Sequence, residues 1–218
     1  GHLNAVADTP ELRAAYNAAL PLITEFSTRL AADERLYAKY KAIDDATLNA
    51  EQRQARKNAL RGFVLGGADL QGAAKERFAA NQERQAELAQ KFSENALDAT
   101  DAFAYYASAD EVAGVPADVL QAARAGAEQD GQPGYKLTLK IPCYLPVMQF
   151  ATSSALRQRL YRAYVTRASD QAEGEATRFD NSALMRELLA LLRRNGGGDE
   201  LPRFRISIES LEQPRERR

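Results

Sequence analysis

The chain has 218 residues, 45% of them hydrophobic, with 29 basic side chains against 30 acidic ones, one histidine and one cysteine. Charges of both signs are interspersed, which excludes the one-sided basic face of a nucleic-acid binder; a single cysteine excludes an internal disulfide and any thiolate-rich metal site. No apolar run approaches the ~20 residues of a membrane helix, and no signal-peptide pattern opens the chain, so a reducing cytoplasm is the expected setting.

Alanine, leucine, glutamate, glutamine and arginine dominate, a composition that favours helix. Thr9 and Pro10 read as an N-cap and first helical position, followed by Leu12, Tyr16, Leu20, Ile23, Phe26 and Leu30 at helical spacing. Asp33 caps a second helix carrying Leu36, Tyr37, Tyr40 and Ile43. Asn49, with Glu51 and Gln52 just inside, starts a third through Phe63 and Val64, which Gly66 and Gly67 end. The longest helical stretch runs from Gly72 to Ala102, ~45 Å at 1.5 Å per residue. Phe78, Gln82, Gln85, Leu88, Ala89, Phe92, Ala96 and Leu97 share one of its faces, and it is expected to pack antiparallel on the helix before it.

Ser108 and Pro116 punctuate a predicted short helix and a second one ending near Glu128. Residues 129–134, QDGQPG, are a turn cluster. Tyr135 to Lys140 then alternate with period two, the one convincing strand signal; its partner is sought in a short segment such as 103–106. Helix resumes from about Leu145 and, after Ser153 and Ser154, continues through Arg167. Residues 171–178 read as a polar loop, and Asn181 and Ser182 start a last helix with Leu184, Met185, Leu188, Leu189 and Leu192. The NGGG run at 195–198 breaks that helix and acts as a hinge, with Arg203–Ile208 a possible further strand. The expected fold is mainly α, an elongated helical bundle with one small β element near residues 135–140. Its helical region spans 2–191, and a Gly-rich, flexible tail spans 192–218.

Residues that could carry chemistry are few. His2, the one imidazole, lacks the partners a zinc site demands and reads as a surface residue. Cys143 sits near Lys140 and a helix start, which favours a thiolate, but reads as structural. Tyr135, Tyr144, Tyr161 and Tyr164 could line a peptide channel, while the one-turn spacing of Tyr161 and Tyr164 points to core packing. Arg157, Arg159, Arg162 and Arg167 could form an anion site; an Arg–Asp pair tying Arg162 or Arg167 to Asp170 is the favoured reading. Glu83 with Glu87, and Asp98 with Asp101, read as solvated helix faces. Gly66 and Gly67 lack the Gly-Lys-Ser/Thr that completes a phosphate loop.

Several runs nevertheless carry a family signature. Residues 135–148, YKLTLKIPCYLPVM, fit the pattern YxLTLxxPxYxPVM, and residues 156–170, LRQRLYRAYVTRASD, fit LRxxxYRAYxTRASD. HLNAV at 2–6, TPELR at 9–13, LDAT at 97–100 and FDNS at 179–182 follow the same collinear order. From His2 to about Leu191 the chain resembles oligopeptidase A and its thimet-oligopeptidase relatives, zinc metallopeptidases that cut short peptides. The resemblance implies one helical wall of a substrate channel, with short peptides as partners of the intact enzyme. Family members bind zinc through an HExxH helix, which a chain with one histidine cannot contain. No catalytic, cofactor-binding or metal-binding residue is therefore assigned here; zinc belongs to the intact family enzyme, and this chain is expected to lack the catalytic half and to be inactive alone. The alternative is a non-catalytic helical protein that binds peptides or self-associates through exposed apolar surface.

Overall fold

Three polar caps organise the start of the chain. In the computed structural model, which describes residues 2–6, 8–172 and 174–196, a five-residue helix α1 (His2–Val6) precedes α2 (Pro10–Ala31). Thr9 Oγ1 accepts from the N–H of Leu12 at 3.2 Å, and Pro10 occupies the first turn, where its missing N–H costs nothing. Asp33 caps α3 (Glu34–Lys41) by accepting from the N–H groups of Arg35 and Leu36, both at 2.9 Å. Asn49 opens α4 (Ala50–Leu65) with a reciprocal capping box: its carbonyl oxygen accepts from Gln52 N–H at 2.8 Å, and the Gln52 side chain accepts from Asn49 N–H at 3.0 Å.

The chain divides into two units, one formed by Gly1–Leu88 with the segment from Glu187 onward, the other by Ala89–Arg186. In the first unit α3 and α4 pack through aromatic rings. Phe63 sits 5.6 Å from Tyr37 and 5.4 Å from Tyr40 between ring centroids. Arg56 of α4 donates to the carbonyls of Tyr40 and Lys41 at 2.9 and 2.8 Å, satisfying two of the acceptors that a helix leaves open at its C-terminus. After α4 the chain passes so close to the end of α2 that a Cβ on Gly66 would stand 2.7 Å from Ala31 Cβ. The apolar series of α2 behaves differently from a core stripe: no residue of this helix is buried, and Leu22, Ile23, Phe26 and Leu30 are 49–67% exposed.

α5 (Gly72–Ala102) has the predicted bounds, but its buried positions are Leu88, Glu94, Asn95 and Ala99, while Ala89 faces water. A polar bond explains the rotation of the face. Asn95 Nδ2 donates to Asn181 Oδ1 at 2.8 Å, and Asn181 Nδ2 donates to the Phe92 carbonyl at 3.0 Å, so Asn95 and Asn181 are held inside, each with a partner. Among the described residues α4 finds its aromatic partners on α3, so the expected antiparallel pairing of α4 with α5 is not what organises this unit.

In the second unit, strand β1 (Tyr105–Ala107) pairs antiparallel with β2 (Tyr135–Leu137), Tyr105 opposite Leu137 and Ala107 opposite Tyr135. The strand signal at 135–140 is thus realised in its first half, and its partner lies beside the expected 103–106 segment. Helix α6 (Ala117–Gln129) connects the strands. Its Ala123, with Ala107, Val112, Val115, Leu137, Val147, Ala151, Leu156 and Leu160, forms the core, which also includes residues of α7 (Ile141–Phe150) and α8 (Ser154–Thr166). Each fully buried leucine or valine is worth ~1.5–3 kcal/mol.

Four expectations are corrected. Residues 108–116 form turns, not a short helix, because Ser108 and Glu111 bond each other locally and Gly114 takes φ +89°. α7 starts at Ile141, four residues before the expected Leu145, since Pro142 fits its first turn. Residues 174–179 within the predicted polar loop wind into a 3-10 helix (Gly174–Phe179). The last helix α9 (Ser182–Gly196) passes through Asn195, where the sequence reading ended it. Residues 197–218, including the possible strand at Arg203–Ile208, lie outside the described residues.

Gly134 has φ +87°, and a Cβ there would stand 2.3 Å from the Ala107 carbonyl oxygen across the β1–β2 pair; Gly131, at φ +65°, faces open space. Gly131→Ala is expected to cost about 1 kcal/mol from the left-handed backbone alone, whereas Gly134→Ala should cost about 3 kcal/mol or more, because a backbone atom must also move. Urea midpoints of the two variants against the parent check this difference.

Candidate functional site

The residues singled out in the sequence converge on the α7–α8 pair. Ser153 caps α8 by accepting from Leu156 N–H at 3.2 Å, and Leu156 and Leu160 turn inward to the core. That phase sets Tyr164 toward α7, where its ring stacks on Tyr144 at 4.3 Å between centroids and 15° between planes. The Arg167 guanidinium lies 3.9 Å from the Tyr164 ring centroid and donates to the Tyr164 carbonyl at the end of α8. Burial pushes the Tyr144 hydroxyl above its ordinary range, with the neighbouring Tyr164 and Tyr161 adding to the effect and Arg167 opposing it. Tyr161 stays 55% exposed, as do Ile141, Leu145 and Val165 to similar extents.

Arg167 therefore ends α8 and covers a tyrosine ring. Neither it nor Arg162 makes the expected pair with Asp170, whose carboxylate accepts from the Gln171 side chain at 3.1 Å. The carbonyl at the helix end is nearer and otherwise unsatisfied, and it captures the guanidinium. Arg157 likewise serves backbone acceptors, the carbonyls of Ala151 and Thr152 in the α7–α8 turn. The four arginines do not converge on one anion site.

Arg159 points instead to a cluster that the sequence reading did not find. Its guanidinium lies 4.5 Å from the Tyr105 ring centroid. The Tyr105 hydroxyl donates to Glu111 Oε1 at 2.6 Å, and Glu111 Oε2 accepts from Ser108 N–H at 2.8 Å and from its hydroxyl at 3.1 Å. These donors, Tyr105 first, hold the Glu111 carboxyl below the ordinary carboxylate range, and the same bond raises the Tyr105 hydroxyl. Across the sheet, Asp130 accepts from Lys136 at 2.5 Å and from Tyr106 at 2.7 Å. The available signal was Ser108 three residues before Glu111, the spacing of a local cap; the tyrosines arrive only through strand register.

The remaining candidates stand apart. His2 is exposed on α1. Cys143 is half-buried against the core, its sulfur accepting from Thr138 N–H at 3.4 Å. Tyr135 packs on the same core. Glu87 is tied to Arg84 at 2.7 Å, and Arg84 also makes two parallel bonds to Glu187 at 2.7 and 2.9 Å; Asp101 pairs with Lys140 at 3.1 Å. Gly66 and Gly67 serve chain geometry. Among the described residues no group of three or more histidine, cysteine or carboxylate side chains could hold a metal, and no helix is long and apolar enough to cross a membrane. The chemistry on offer is recognition: aromatic faces, a cation over a ring and exposed aliphatic neighbours, with no nucleophile set beside a base.

Residues 1–75 match the family Neurolysin/Thimet oligopeptidase, N-terminal domain. The chain is 46% identical over 195 residues to the oligopeptidase A of Escherichia coli and of Salmonella typhimurium, in each case across 87% of this chain and 28% of the relative. It is 36% identical over 203 residues to a probable cytosolic oligopeptidase A of Arabidopsis thaliana, again covering 28% of that protein. The chain thus spans little more than a quarter of the length of these curated relatives.

Two outcomes are expected from the site geometry. Tyr144→Ala removes a half-buried stacked ring and should cost about 2 kcal/mol, while Tyr161→Ala at the exposed position should stay within about 0.5 kcal/mol of the parent by urea unfolding. Glu111 is held below its unfolded-state value, so its stabilisation is present above the ordinary carboxylate range and fades as pH falls through the lowered value. Glu111→Gln should therefore lower the urea midpoint at pH 7 and converge on the parent's midpoint by about pH 3.

Proposed function

Because this chain belongs to the oligopeptidase A family, we propose that it is the N-terminal helical portion of a zinc metallo-oligopeptidase that hydrolyses internal bonds of short peptides in the cytoplasm. Residues 2–191 would supply one wall of the substrate channel in the assembled enzyme. The observation that carries this reading is collinear identity of 46% over 87% of the chain, together with a share of only 28% of the relatives' length.

The donor set does not fit a zinc centre. One imidazole and one thiol are present in 218 residues, against the three or more protein ligands such a site takes, and His2 stands exposed on a terminal helix. The metal and its chemistry are therefore assigned to the part of the family's length that this chain does not span, and no catalytic residue is assigned here. What these residues would contribute is shape and contact. The Tyr144–Tyr164–Arg167 stack fixes a rigid surface, and the exposed Tyr161 and Val165 offer apolar and hydrogen-bonding contact to an extended peptide without reading its sequence. A second reading, a non-catalytic helical protein that binds peptides or itself, is favoured by the exposed apolar residues of α2.

A chimera tests the first reading. When residues 2–191 of this chain replace the matching segment of Escherichia coli oligopeptidase A, the hybrid is expected to cleave a quenched peptide of about ten residues within about tenfold of its parent, and this chain alone to cleave none. A folded hybrid that holds zinc yet cleaves nothing would overturn the reading, as would cleavage by this chain alone.

A further inference from the structure

Helix α2 carries an apolar face with nothing over it among the described residues: Leu22, Ile23, Phe26 and Leu30 are 67, 56, 56 and 49% exposed. At 100° per residue these four side chains fall within an arc of about 100°, so they form one continuous stripe of the kind that marks an association surface. Glu25 and Arg29, one turn apart and both exposed, lie together along the Leu22 edge of that stripe. Neither appears in any ion pair or side-chain hydrogen bond among the described residues, whereas Arg13, near the start of the same helix, is engaged by Asp8. The opposite edge, at Ser27, carries no charge.

This layout selects its own partner. When two copies of one helix pack antiparallel about a two-fold axis, each edge of the stripe meets the same edge of the other copy. An axis passing at the level of Ser27 sets Glu25 of each copy beside Arg29 of the other, giving two opposite-charge pairs over a shared apolar seam. A parallel pairing would set the charged edge against the uncharged one and leave both charges unmatched. We infer that α2 is a self-association surface on which a second copy of this chain docks antiparallel, the Leu22–Leu30 stripe supplying the seam and the Glu25–Arg29 exchange its register.

This inference does not rest on the peptidase reading and is measured without any peptidase assay. Four side chains from one helix bury less than the roughly 800 Å² per partner of a standard stable interface, so the dimer belongs to the weak class, with a dissociation constant on the order of 100 μM.

Sedimentation equilibrium of the full chain from about 5 to 500 μM tests it, with far-UV circular dichroism verifying that each variant is folded. A reversible monomer–dimer equilibrium is expected. Glu25→Arg and Arg29→Glu should each weaken it by about tenfold, the double exchange should restore it to within about threefold of the parent, and Phe26→Glu should abolish it. A parent that stays monomeric to 500 μM would overturn the inference. So would open-ended oligomers, or a dimer that tolerates Phe26→Glu, is indifferent to both single charge reversals, or is not restored by the double exchange.

Discussion

The pairing of Tyr105–Ala107 with Tyr135–Leu137 is the constraint on which the second unit depends. Two strands of three residues have no independent stability in water, so their register must be held by what packs on them. Leu137 and Ala107, the inward residues, are essentially fully buried and meet Ala123 of α6, Val147 of α7 and Leu156 and Leu160 of α8 in one cluster. Gly134 lets the chain enter β2 while passing the Ala107 carbonyl at a distance no side chain permits. Gly114 does the same beside the Phe150 carbonyl before α6 begins. The long family-like run at 134–170 is thus chiefly an instruction for packing: its leucines and valine fill the core, its tyrosines stack, and its arginines close helix ends.

The first unit is built on a different balance. Capping groups start each helix, and the Tyr37–Phe63–Tyr40 aromatic set with Arg56 joins α3 to α4. Very little of α2 is used in this way; the helix is satisfied at its N-terminus and leaves its apolar residues in water. A face of that kind is stable as helix through its local hydrogen bonds, but it carries an unfavourable hydration term that any covering surface would remove. The sequence similarity, which accounts for only 28% of the relatives' length, and the exposed stripe both describe a polypeptide with docking surface in reserve.

Local signals were the legible ones. Thr9, Asp33, Asn49 and Ser153 cap helices through their own side chains within three residues, so their effect was written in adjacent letters. The bounds of α5 followed from uninterrupted propensity between Gly72 and Ala102. What escaped depended on distance along the chain. The buried face of α5 turns toward Asn95 because Asn181, 86 residues away, waits to bond it. Arg167 chooses a carbonyl over Asp170 because helix termination leaves that acceptor free, a competition that spacing alone does not display. The Tyr105–Glu111–Arg159 cluster needs strand register and α8 together. Turn structure at 108–116 was misread because a serine–glutamate cap pattern signals a helix start, while Gly114 and Pro116 stop any helix before it completes a second turn.

That the signature segment is a packing core, locked by its two short strands, is open to direct measurement by native-state hydrogen exchange of the backbone amides. The pairing amides of Tyr105–Ala107 and Tyr135–Leu137 are expected to exchange as slowly as those of α6 and the inner face of α8, through one cooperative opening of the unit. Exchange of those strand amides at the rate of the exposed 129–133 turn would contradict it, and would mean that the core closes without the strands.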